Sequence, residues 1–127
     1  MQFARWVFLA AGIYGIVAMA PQYFLEEQIG RDYPPAISHP EYFYGFVGVG
    51  LAWQLLFLLI SLDPVRLRPA MLPAIVEKAS FAIAVLLLYL GHRVPGVVVG
   101  FAGIDAVLGV LFAVAYYVTP SHKLSSG

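Results

Sequence analysis

The chain is 127 residues long, 61% hydrophobic and only 11% charged, against about 25% charged in an ordinary soluble domain. That composition excludes a water-soluble globule, and seven acidic against seven basic side chains exclude the basic surface that nucleic acid requires. Without cysteine there is no disulfide, no thiolate metal site and no thiol nucleophile.

Four apolar runs, residues 3–20, 42–62, 74–90 and 97–118, each approach the ~20 residues needed to cross ~30 Å of hydrocarbon. The sequence therefore predicts an all-α membrane protein: one transmembrane domain, residues 1–127, forming a four-helix bundle that runs up-down-up-down. The first run follows Arg5 and ends at Pro21 without a small-residue cleavage site, so it reads as a mature span rather than a signal peptide.

The joint 21–40 contains Pro34-Pro35, which imposes extended backbone, and then Ser38-His39-Pro40-Glu41. That tetrapeptide reads as a capping box, with Ser38 as cap, Pro40 in the first turn and Glu41 reaching back. A metal site on His39 and Glu41 lacks a third ligand, so none is expected. The second joint, Asp63-Pro64-Val65-Arg66-Leu67-Arg68-Pro69, starts with a cap-and-proline signal and offers its arginines to lipid phosphates. The third, 91–96, is short enough to fold the last two spans into a tight antiparallel hairpin. Residues 119–127 are polar and read as a flexible tail, with Ser125-Ser126-Gly127 as a cloning remnant.

Arg5, Arg66, Arg68 and Lys123 fall on one side of the membrane and only Arg31 and Arg93 on the other, which predicts cytoplasmic termini. Trp6, Tyr23, Phe24, Tyr42, Tyr44, Tyr89, Tyr116 and Tyr117 collect near the expected interfaces as an anchoring belt.

Ionisable groups in hydrocarbon cost at least a few kcal/mol each, which singles out Glu77, Lys78 and Asp105. In a hairpin turning around Arg93, Lys78 lies roughly 4.5 Å below the level of Asp105, within reach of its flexible stem. Side chains lean toward their helix N-terminus, however, which draws the two apart and favours snorkelling of Lys78. Glu77 and Lys78 also diverge by about 100° around their helix. Gln54, about 20 Å below the outer end of the second span, reaches the level of Lys78. A Gln54/Lys78/Asp105 cluster is thus allowed, with Tyr14, Ser80 and Tyr89 as further polar neighbours. Such a cluster serves either as interhelical glue, typically ~0.6 kcal/mol per hydrogen bond, or as a protonatable anchor inside a greasy cavity.

Small residues mark close helix approaches: Gly12 and Gly15, Gly45 and Gly48, and the ridge Ala102, Ala106, Gly109, Ala113. The ridge also suits a second copy of the chain or another protein's helix. A bis-histidine haem finds no support, since His39, His92 and His122 lie in joints, caps or the tail. No cofactor is expected, although a lipid, quinone or pigment can be held by apolar contacts alone. No nucleophile and base converge at one level, so no catalytic residue is assigned.

Four helices in this length resemble the small multidrug resistance proteins, but those carry an essential acid in their first helix and here that span has none. The stretch 39–69, with its glycine-rich second span and Asp63-Pro64 followed by arginines, resembles small bacterial membrane proteins of the broad DoxX-like type, over most of the chain. Some of that group associate with quinone-linked oxidoreductases. The resemblance implies a multi-pass bacterial inner-membrane protein acting as an accessory subunit, and it transfers no catalytic residue. The expected function is a non-catalytic accessory or packing subunit of a larger membrane complex, or a holder of a hydrophobic small molecule between its helices. The alternative is a membrane enzyme, an isomerase or lipid-modifying catalyst, or a proton-coupled transporter using Asp105 with Lys78 or Glu77.

Overall fold

The computed structural model describes residues 2–121 and contains five α-helices and no strand among them. Four are long: α1 (Gln2–Met19), α3 (Pro40–Leu62), α4 (Met71–Leu90) and α5 (Gly96–Val118); α2 (Glu26–Asp32) is short. With the 3₁₀ extensions of α1 and α4 included, the four long segments each span 23 residues, roughly 35 Å at 1.5 Å per residue, enough to cross a membrane. The expected tail beyond Ser121, with His122 and Lys123, lies outside the described residues.

Each long helix buries one stripe and turns large apolar side chains outward. On α1 the stripe is Ala4, Phe8, Ala11, Gly12 and Gly15, while Ile13 and Val17 are exposed. On α5 it is Ala102, Gly109, Phe112 and Ala115, with Val107 and Val110 facing out. A bundle that is apolar all round, with aliphatic and aromatic side chains turned outward, has the surface of a membrane-spanning bundle rather than of a water-soluble one.

Packing is strongest in two pairs, α1 against α3 and α4 against α5, while α3 and α4 barely touch. The pairs are riveted together at one end. There the N-terminal halves of α1 and α4 meet the C-terminal halves of α3 and α5 around Phe8, Phe57 and Phe112. Phe8 stacks on Phe112 at 4.2 Å between centroids, and Phe57 meets Phe112 edge-on at 5.0 Å. At the other end the pairs diverge, which leaves space between all four spans.

Several local expectations are corrected. Pro21 does not end the first span, because the helix tightens into a 3₁₀ segment from Ala20 to Phe24, where a missing amide donor is tolerated. The following joint, long enough to carry structure of its own, does so: α2 has Glu26 and Glu27 in its first turn and Arg31 in its last, matching the helix dipole. Ser38 does not cap α3. His39 stands at that position without a side-chain cap, its carbonyl accepts from the amides of Tyr42 and Phe43, and its Nδ1 faces Glu41 Oε1 at 3.2 Å. Glu41 is thereby diverted from the free amides that a capping box would have it reach.

Arg68 is engaged within the protein. Its Nε donates to the Tyr116 carbonyl at 2.8 Å and its guanidinium lies 3.8 Å from the Tyr116 ring centroid, tying the second joint to the end of α5. Arg66 stays exposed. The α4–α5 joint is tight, with His92 in the left-handed conformation at φ 59° and the Arg93 amide donating to the Leu88 carbonyl. Trp6, Phe24, Tyr42 and Tyr117 are exposed near helix ends, while Tyr116 is held under Arg68.

Candidate functional site

The divergence of the two helix pairs opens a cavity of about 350 Å³ bordered by α1, α3, α4 and α5. Ala18 and Met19 wall it on one side, Phe46 and Gly50 on the next, and Phe81, Val98 and Phe101 close the rest. Its polar border gathers Tyr14, Gln54, Glu77, Lys78 and Asp105, one or two residues from each long helix, with Gln22 from the 3₁₀ segment after α1. Ser80 is not part of it: exposed, it donates to the Glu77 carbonyl at 3.0 Å. Tyr89 lies beside the α4–α5 joint, away from the polar cluster.

Lys78 is the centre of the cluster, and it does not snorkel. Its Nζ lies 3.4 Å from Asp105 Oδ1 and 3.7 Å from Glu77 Oε2. The lean toward the α4 N-terminus is overridden because the ammonium sits over Phe57, 5.2 Å from the ring centroid, and aromatic packing blocks the way beyond it. Two carboxylates then supply the counter-charge that hydrocarbon demands. Gly109 faces the lysine stem: a Cβ there would lie 3.4 Å from Lys78 Cβ, about van der Waals contact. Exposure differs sharply within the cluster. The Lys78 side chain is 4% exposed, against 21% for Glu77 and 15% for Asp105, so the carboxylates are what an occupant of the cavity meets first.

Gln54 joins the cluster from α3 and is 3% exposed. Its Nε2 donates to the Gly50 carbonyl at 2.9 Å, leaving Oε1 without a donor. The side chain fits only because Gly15 on α1 has no Cβ, which would overlap the Gln54 amide from Oε1 back to Cγ. Gly12 does the same for Leu58 one turn away, so this glycine pair sets the close approach of α1 to α3. The other small-residue expectations divide. Gly48 lies against Tyr23, whereas nothing comes within 4 Å of a Cβ at Gly45. On α5, Ala102 and Gly109 are buried and Ala113 is half-buried, but Ala106 is exposed, the buried stripe running on through Phe112 and Ala115 instead.

Gly15→Ala is therefore expected to destabilise the bundle by about 1–3 kcal/mol, the usual cost of overpacking. Gly45→Ala, on open helix surface, is expected to be neutral or slightly stabilising. Thermal melts of both purified variants, followed by circular dichroism, check the contrast; equal melting temperatures would contradict it.

Comparison with protein-family models, with curated proteins and with solved structures gives no match. The functional argument rests on the chemistry of the site. Among the described residues no three His, Cys, Asp or Glu side chains converge to hold a metal ion. What the arrangement can do is accept an elongated, mostly apolar molecule and meet its polar end with carboxylates, an ammonium, an amide and a phenol.

Proposed function

We propose that this chain is a non-catalytic, multi-pass protein of the bacterial inner membrane that holds a hydrophobic small molecule with a polar end between its spans, on its own or as an accessory subunit. The observation that carries this reading is the cavity: apolar walls from all four spans and six polar side chains at its border. Pure packing glue would leave no such space, since a bundle held only by contact closes its helices onto one another. With both termini cytoplasmic, the orientation that the arginines favour, the space lies in the outer half of the membrane.

Ala18 borders the cavity and is half-buried, so Ala18→Phe fills the space from one wall. Wild-type protein extracted gently from its native membranes is expected to retain one apolar small molecule per chain in native mass spectra. The variant is expected to lose it by about tenfold, equivalent to 1.4 kcal/mol of binding, with helix content and melting unchanged. A wild type that carries nothing, or a variant that keeps the molecule, contradicts the reading. Partner subunits retained in fixed stoichiometry support the accessory role.

A second reading draws on the two carboxylates at the cavity border: an isomerase, a lipid-modifying enzyme or a proton-coupled transporter, with Asp105 exchanging protons beside Lys78 or Glu77. It requires Asp105 to react with a carbodiimide in a ligand-dependent way. A reaction indifferent to ligand across a wide pH range counts against it.

A further inference from the structure

We propose that the cavity selects amphiphiles whose head group is positively charged, a long-chain ammonium being the simplest case. This rests on the ligand-binding reading above and names the chemistry of the ligand. Two carboxylates face one ammonium in the cluster, so with both acids ionised the cluster holds one formal negative charge inside the span. The other polar groups at the border, Tyr14, Gln22 and Gln54, are uncharged and do not offset it. A net charge in hydrocarbon is costly; in the empty cavity a proton on one of the acids removes it, and a cationic head placed against Glu77 and Asp105 takes the place of that proton.

Access points the same way. Lys78 is almost fully covered and already engaged by both acids, whereas the carboxylates keep exposed surface beside the cavity. An anionic head would have to pass two like charges to reach the lysine. A cationic one meets acceptors directly. The walls add to this preference, because Phe46 and Phe81, stacked at 6.5 Å, present aromatic surface between α3 and α4 to which a cation is attracted and along which an alkyl tail packs. At about 350 Å³ the space is at the small end of ligand cavities, suited to a head and the first part of a tail, the remainder lying among lipid tails.

The test uses the whole chain in phosphatidylcholine nanodiscs with three probes that share a diazirine-bearing dodecyl tail: dodecylammonium, dodecanol and dodecanoate, at equal mole fraction in the membrane. After photolysis, labelling of the Phe46–Gly50 and Phe81 peptides is quantified by mass spectrometry. The ammonium is expected to exceed the alcohol roughly tenfold, and dodecanoate to label least. Glu77→Gln, which leaves one carboxylate against one ammonium, is expected to bring ammonium and alcohol close to parity. The wild-type series decides the matter if that variant does not fold. Equal labelling by ammonium and alcohol, or strongest labelling by dodecanoate, overturns the charge preference and leaves the ligand reading standing. Failure of all three probes to label these peptides above lipid-facing ones overturns both.

Discussion

Lys78→Met is expected to destabilise the bundle by about 3–5 kcal/mol, because it removes the shared counter-ion of Glu77 and Asp105 and leaves two carboxylates inside a membrane span. The effect should exceed that of either acid-to-amide change. Asp105→Asn keeps the Lys78–Glu77 pair, and Glu77→Gln keeps the shorter Lys78–Asp105 contact. Combining Lys78→Met with both amide substitutions removes every charge of the cluster and is expected to recover most of the loss, since neutral amides hydrogen-bond without a counter-ion. Unfolding in mixed detergent micelles, read by circular dichroism, measures all four variants. A Lys78→Met protein that unfolds with the wild type would show that the ion pairs hold nothing together.

Phe8→Ala is expected to cost about 2 kcal/mol through a different mechanism. Phe8 is fully buried, stacked on Phe112 and edge-on to Phe57, at the end where the two helix pairs join. In a bilayer the unfolded reference is also apolar, so the transfer part of the usual large-to-small penalty largely cancels. The unfilled volume remains, roughly 100 Å³ at about 24 cal/mol per Å³. Leu86→Ala, on a side chain that is 52% exposed to lipid, leaves no internal void and is expected to change little. The same unfolding experiment separates the two; a Leu86→Ala loss as large as that of Phe8→Ala would mean that the exposed face is packed against another protein.

The long helices were legible because bilayer thickness imposes a length and a composition that no other constraint imitates. Helix α2 was not, being only seven residues long, although Glu26 and Glu27 at one end and Arg31 at the other are the charge pattern of a short helix. The residues of the polar cluster were named from the cost of burying them, and counting residues back from the α4–α5 joint put Lys78 within reach of Asp105. What misled was the statistical lean of helical side chains, which Phe57 and the neighbouring aromatic packing override. Gln54 against Gly15 was visible only as two separate features, since register between α1 and α3 is set by side-chain interlock and leaves no periodic trace. The cavity was not legible at all. It arises because the two helix pairs join at one end, around Phe8, Phe57 and Phe112, and part at the other, a matter of how the pairs tilt, which composition along each helix does not encode.

The most direct test of a ligand held between the spans is made in living cells, with photoreactive benzoylphenylalanine replacing Phe81 on the cavity wall and, as control, Leu59 on the outer face of α3. After irradiation, mass spectrometry of the chain is expected to show one discrete small-molecule adduct at position 81 and the mixed adducts of bulk lipid at position 59. The same lipid mixture at both positions, or a protein adduct at position 81, would contradict the account.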